Sequence, residues 1–142
     1  MNKKKKIGFT CSCFDLLHAG HVKMLEDAKS QCDHLIVGLQ TDPTIDRPLI
    51  KNKPIQALEE RQIMISGIRF VDEVVLYETE DDLYSYLKKN KPDVRILGSD
   101  YKEENFTGKD LDIPIYYHKR DHNWSTTSLR EKVYESELQK KK

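Results

Sequence analysis

The chain has 142 residues, enough for one domain with a real core and too few for a second. Hydrophobic residues make up 37% and charged residues 34%, and no stretch approaches the ~20 apolar residues a membrane span needs. Lys plus Arg and Asp plus Glu number 24 each, so the net charge is zero and the basic excess of a general nucleic-acid binder is missing.

The four lysines before residue 7 resemble the charged start of a signal peptide, but the apolar run at 7–10 is too short to follow one. Residues 1–5 and 139–142 read as frayed basic ends of a single domain spanning 1–142. Cys11, Cys13 and Cys32 cannot all pair with one another, and Cys-x-Cys supplies only two of the four ligands zinc usually takes. They read as reduced thiols, and the chain as cytoplasmic.

The first strand is expected at residues 7–11. Residues 20–30 have helical spacing, with Val22, Leu25 and Ala28 on one stripe, and 35–39 form a continuous β-rich run. A long loop, 41–57, carries Pro43, Pro48 and Pro54 among the cations Arg47, Lys51 and Lys53, and such loops in compact domains are often functional. A second helix is expected at 58–68 and a third strand at 73–77. Leu83, Tyr86 and Leu87 mark a third helix. A strand at 94–97 is closed by Gly98, another is expected at 113–117, and a last helix runs from 125 to about 138 with Ser125 as its N-cap. This alternation predicts an α/β fold: a Rossmann-like domain with a five-stranded, mainly parallel sheet and helices on both faces.

The sharpest chemical signal is Cys13-Phe14-Asp15-Leu16-Leu17-His18-Ala19-Gly20-His21, at the junction of the first strand and first helix. Ligands of open α/β sheets bind beyond the carboxyl ends of the strands. A helix start there offers free N–H groups and a positive dipole end to an anion, and Gly20 permits a tight approach. His18 and His21, three apart, can face one phosphate. The residues alone also fit a structural turn or half of a metal site.

A second signal is Arg120-Asp121-His122-Asn123-Trp124-Ser125-Thr126-Thr127. Its hydroxyls and free N–H groups at a helix start form a phosphate cradle, and Arg120 can clamp anionic oxygens.

Together these segments resemble the HxGH and RTxGISTT motifs of the cytidylyltransferase-like nucleotidyltransferases, which include glycerol-phosphate cytidylyltransferases and heptose-phosphate adenylyltransferases. Glu60-Arg61 and Val71-Asp72-Glu73-Val74 are similar to the family's ER and VDEV segments. Gly98-Ser99-Asp100-Tyr101 resembles the GGDY segment of the heptose-phosphate enzymes. The likeness runs from about residue 6 to 133. Ser12 stands where the family usually has glycine, and Asn123 replaces another glycine in a turn where Asn tolerates left-handed backbone.

The resemblance implies that His18, His21 and Arg120 are catalytic. It implies nucleotide contacts from Thr10, Cys11, Ser12, Phe14, Asp15 and Gly20 at the first junction, and from Arg61, which would reach the triphosphate. Further contacts are implied for Gly98 and Asp100, and for Ser125, Thr126 and Thr127. Lys51 and Lys53 fall where the glycerol-phosphate enzymes keep a substrate-binding lysine. The implied reaction is attack by a substrate phosphate on the α-phosphorus of a nucleoside triphosphate, with pyrophosphate leaving. Mg²⁺ would travel on the triphosphate, and Asp15 would orient the turn or touch that metal. The implied partners are CTP and a phosphorylated small alcohol, glycerol 3-phosphate first, in a homodimer without nucleic acid. The alternatives are adenylyl transfer to a sugar phosphate such as a heptose 1-phosphate, a non-catalytic nucleotide-binding module, or an interaction protein on the same fold.

Overall fold

The structure is a computed structural model in which residues 4–141 are described. β1 (Ile7–Ser12), α1 (Ala19–Ser30), β2 (His34–Gln40), α2 (Leu58–Ser66) and β3 (Glu73–Tyr77) form the first half. α3 (Glu80–Asn90), β4 (Val94–Gly98), β5 (Ile115–His118) and α4 (Thr126–Lys140) form the second, with two short 3-10 turns between β4 and β5.

The sheet order is β3-β2-β1-β4-β5, and every pairing is parallel. The chain moves outward from β1 through β2 to β3, then returns to lie on the other side of β1 with β4 and β5. The reversal puts a topological switch point between the carboxyl ends of β1 and β4, where such sheets bind ligands.

Alternation along the central strands divides the core. Leu35, Val37 and Leu39 of β2 are fully buried with Leu25 and Ala28 of α1 and Ile65 of α2. Phe9 and Tyr77 pack on the opposite face with Leu83 and Leu87 of α3. Helices therefore cover both faces, and truncating a leucine such as Leu35 to alanine should cost about 2–5 kcal/mol. A Cβ on Gly38 would stand 2.8 Å from Phe9 Cζ, so β2 needs glycine for the Phe9 ring to lie across it.

Local chemistry sets the helix starts. Thr79 and Asp82 form a capping box on α3, and Ser125 Oγ accepts from Ser128 N at 3.0 Å to cap α4, as the Ser-Thr-Thr run predicts. α2 ends at Ser66 rather than at residue 68, because Gly67 takes over its last carbonyls. β5 starts two residues later than expected: Pro114, which has no N–H to give, stays outside it while its carbonyl accepts from Arg95 N.

α4 holds no buried residue, yet its helix reaches Lys140, further than a frayed end at 139–142 would allow. Lys4, Lys5 and Lys141 are exposed and lie outside the helices and strands, and residues 1–3 and 142 lie outside the described residues. The Val71-Asp72-Glu73-Val74 segment is structural. Asp72 pairs with Lys29 at 2.5 Å and accepts from Leu35 N, while Glu73 meets His34 at 3.0 Å, tying β2 to β3.

Candidate active site

The loop between β1 and α1 is strained. Phe14 and Leu16 hold φ at 50° and 52°, the left-handed region that costs a residue with a Cβ about 1–2 kcal/mol. Asp15, between them, secures the loop: its carboxylate accepts from Ile55 N and Gln56 N at 3.0 Å each and lies 3.9 Å from Arg130 Nη1. Gln56 returns a bond, its Oε1 accepting from Leu16 N at 2.8 Å.

α1 then begins on a capping box made by two histidines. His18 Nδ1 accepts from Gly20 N, and His21 Nδ1 accepts from His18 N, each at 3.1 Å. Because each Nδ1 is an acceptor, the ring proton of each neutral imidazole must sit on Nε2. The rings lie 3.9 Å apart. Burial pulls His21 down to about 4, helped by His18 and opposed by Asp15. Burial also lowers His18, with His122 and Arg120 adding to the effect. At neutral pH the pair is uncharged and has two Nε2–H donors to offer. A Cβ on Gly20 would meet His122 Cε1 at 2.7 Å and His18 Cε1 at 2.9 Å, so any side chain here would push these rings from their places.

His18, Gly20 and His21 line a cavity of about 320 Å³ together with Gly98, Asp100, Arg120, Trp124, Ser125 and Thr126. The N-termini of α1 and α4 thus converge on one space, and two positive dipole ends with a guanidinium beside them suit a polyanion. Arg120 Nη2 donates to Trp124 O at 2.6 Å, which bends the β5–α4 segment back on itself. Thr126 Oγ1 lies 3.4 Å from Asp15 O, linking that segment to the strained loop.

A second cavity, about 390 Å³, opens at the ends of β1 to β4 and shares Ser12, Met24 and Gly98 with the first. Its walls carry Thr10, Cys11, Gln40, Arg47, Lys51, Glu80 and Arg95. Arg95 is buried, donates to Thr107 O, stacks over Phe106 with its guanidinium carbon 5.2 Å from the ring centroid, and leaves its Nε unpartnered. Arg47, Lys51 and Arg95 outnumber the carboxylates of Glu80 and Glu104 on these walls, and with Arg47 paired to Glu80 at 3.4 Å the net positive charge still suits an anionic molecule.

The chain matches the family model described as cytidylyltransferase-like over residues 9–132. The chain belongs to the cytidylyltransferase-like family. It is 37% identical over 139 residues to the bifunctional protein HldE of Campylobacter concisus, covering 98% of this chain and 29% of that protein. It is 42% identical over 106 residues to the HldE of Caulobacter vibrioides, covering 75% of this chain and 22% of that protein. The chain therefore spans less than a third of these relatives' length. A lipopolysaccharide core biosynthesis protein from Thermoplasma volcanium has the same fold, with a TM-score of 0.66 and 26% identity over 85% of this chain and all of that one.

Within this cytidylyltransferase-like domain, a nucleotidyltransferase, the residues expected from sequence divide. His18, Gly20, His21, Ser12, Gly98, Asp100, Arg120, Ser125 and Thr126 gather around the smaller cavity. Thr10, Cys11 and Lys51 line the larger one instead, and Thr10 Oγ1 donates to Ile96 O at 3.1 Å.

Six assignments need correction. Arg61 is only 2% exposed: its guanidinium donates to the carbonyls of Gln56, Cys13, Gln40 and Thr41, so it braces the carboxyl ends of β1 and β2 and does not reach out to a triphosphate. Phe14 is buried in the core against His21, with ring centroids 5.5 Å apart, and supports that histidine from behind. Asp15 is committed to backbone N–H groups and orients the turn. Thr127 is exposed in the first turn of α4, outside both cavities. Lys53 is an exposed partner of Asp42 at 3.7 Å. Asn123 does not adopt the left-handed conformation expected of it.

The structure adds Met24, His118, His122, Arg95 and Glu80 to the cavity walls. His122 lies inside a motif visible in the sequence. The others come together through contacts between distant segments that no local pattern marks.

Proposed function

We propose that this domain transfers an adenylyl group from ATP to a sugar phosphate, of the heptose 1-phosphate kind, and releases pyrophosphate. The observation that carries the reading is the convergence of the α1 and α4 N-termini on a cavity that opens, across Ser12, Met24 and Gly98, into a second cationic cavity. One space takes the triphosphate and the other the phosphorylated acceptor, and the shared wall is where the α-phosphorus meets the attacking oxygen.

The acceptor phosphate attacks in line, and pyrophosphate leaves toward α4. No covalent intermediate is needed, so the residues work by positioning and by stabilising charge. The Nε2–H donors of His18 and His21 hydrogen-bond the crowded phosphate oxygens of the transition state, and Arg120 with Ser125 and Thr126 holds the β- and γ-phosphates. Arg47, Lys51 and Arg95 orient the acceptor.

Among the described residues no cluster of three or more His, Cys, Asp or Glu side chains is arranged to hold a metal. Asp100 is the one carboxylate lining the smaller cavity, which fits a Mg²⁺ carried by triphosphate oxygens and water. Bound there, the ion would supply charge neutralisation on the phosphates.

The likeness to the HldE proteins and the Gly98-Ser99-Asp100-Tyr101 segment favour ATP and a sugar phosphate over the CTP and glycerol 3-phosphate read first from the HxGH segment. A cytoplasmic homodimer remains part of the proposal, with exposed Val133, Tyr134 and Leu138 of α4 and Leu49 and Ile50 of the long loop as apolar surface to cover. No helix among the described residues is long and apolar enough to cross a membrane.

The test is pyrophosphate release with ATP and CTP, each against a panel of sugar phosphates and glycerol 3-phosphate. Turnover confined to ATP with an aldose 1-phosphate is the expected result. Turnover with CTP and glycerol 3-phosphate alone would replace this reading with the other, and no turnover with any pair would favour a non-catalytic module.

A further inference from the structure

His118, the last residue of β5, is held in one orientation by α1. Its Nδ1 lies 2.7 Å from Asp27 Oδ2, and Tyr116 Oη donates to the other carboxylate oxygen, Oδ1, at 3.0 Å. Asp27 is thus fixed from two sides as an acceptor, and the imidazole proton is drawn to Nδ1. The ring lines the smaller cavity, and its Nε2 is buried without a partner. A buried acceptor left unpaired in a binding cavity is a site missing its donor.

The place of this nitrogen narrows the donor. His21, Met24 and Asp27 follow one another at three-residue intervals along α1. His118, bonded to Asp27, therefore stands about 9 Å down the helix from the phosphate-facing end. That is the scale of a nucleoside. With the Nδ1 proton directed at Asp27, Nε2 faces the cavity as an acceptor, which adds nothing to the holding of phosphates, so it reads an N–H or O–H on the nucleoside itself. Asp100 is already available in the same cavity to accept from ribose hydroxyls.

We propose that the Asp27–His118 pair reads the nucleobase, with His118 Nε2 accepting a hydrogen bond from an exocyclic amine. The site then selects bases that carry an amine at the position facing it, as adenine and cytosine do, and rejects their oxo counterparts, which would set a carbonyl against a lone pair. A polar site of this kind discriminates strongly because the wrong ligand leaves its buried group unpaired. This inference rests on the nucleotidyltransferase reading and adds a side-chain determinant of base choice to it.

The test is calorimetric binding to the intact protein with Mg²⁺, using ATP, ITP, 2′-deoxy-ATP and inorganic tripolyphosphate. ATP should bind at least ~10-fold more tightly than ITP. His118→Leu should bring that ratio to within about 3-fold while tripolyphosphate binding stays unchanged. Asp27→Asn, whose amide can donate to Nδ1 while Tyr116 holds its oxygen, should drive the proton to Nε2 and shift the preference toward ITP. An unchanged ATP:ITP ratio in both variants would overturn the base-reading role alone. A loss confined to the contrast between ATP and 2′-deoxy-ATP would reassign His118 to the ribose and overturn it as well. Failure of the parent protein to bind any of the four would remove the nucleotidyltransferase reading and this inference together.

Discussion

Arg61 Nη1 donates to Cys13 O at 3.0 Å and to Gln40 O at 2.7 Å, so one side chain of α2 holds the carboxyl ends of β1 and β2 together beneath the site. Its remaining bonds, to Thr41 and Gln56, bind both ends of the long loop to the same point. Removing the guanidinium strands several carbonyls at once, each costing about 1–3 kcal/mol when buried and unpaired. Arg61→Met should therefore lower unfolding stability by at least about 3 kcal/mol in denaturant titrations. A triphosphate contact predicts the opposite pattern, normal stability with weakened binding, and that result would restore the role expected from sequence.

The histidine pair has two functions that substitution can separate. His18→Asn keeps an N-cap oxygen for the start of α1 but has no Nε2–H at the same reach. We expect near-parental stability with kcat down at least ~10²-fold and a smaller change in triphosphate affinity, the pattern of a contact made mainly in the transition state. His18→Ala should lose kcat similarly and also about 1 kcal/mol of stability. Turnover close to normal in both variants would confine His18 to capping.

The depressed His21 sets a pH dependence whose sign is fixed. A histidine at about 4 in the folded chain and 6.5 when free binds more protons unfolded than folded between those values. Stability then rises with pH across that window. The contribution is complete above about pH 6.5 and is lost as pH falls through about 4. It amounts to no more than about 3 kcal/mol. Denaturant midpoints at pH 7 and pH 4.5 should differ by less in His21→Gln than in the parent. An identical drop in both would place the acid sensitivity elsewhere.

Trp124, the only tryptophan, is 47% exposed and its carbonyl accepts from Arg120. A triphosphate that draws Arg120 toward its β- and γ-phosphates should disturb this contact. ATP with Mg²⁺ is expected to change Trp124 fluorescence, and AMP far less. Arg120→Ala should weaken triphosphate binding by roughly 1.5–3 kcal/mol, the range for hydrogen bonds to charged groups. A silent Trp124 and an unaffected Arg120 variant would take this segment out of the phosphate site.

What the sequence revealed depends on how locally each feature is encoded. The strand-loop-helix around His18 and His21 and the cap at Ser125 lie in contiguous residues, so apolar runs, glycine and hydroxyl positions were enough to find them. Arg61 misled because a helix arginine reads as exposed, and only the carbonyls of Cys13 and Gln40, brought in from other elements, show that it is buried. Phe14 was placed in the correct loop but given an outward role, while Asp15, read as orienting the turn or touching the metal or the nucleotide, does the first of these. Their side chains turn in because φ is positive at Phe14 and Leu16, a backbone choice without a composition signal. The Asp27–His118 contact joins residues 91 apart and leaves no trace in either local pattern.

The wall of Ser12, Met24 and Gly98 between the two cavities bears on inhibition. A nucleoside diphosphate-sugar formed across that wall occupies both cavities at once, so under the proposed reaction it competes with each substrate, whereas pyrophosphate competes only on the α4 side. A compound joining an adenosine to a sugar through a non-hydrolysable diphosphate would therefore gain from linking two sites in one molecule, and truncating it at either end would lose that gain.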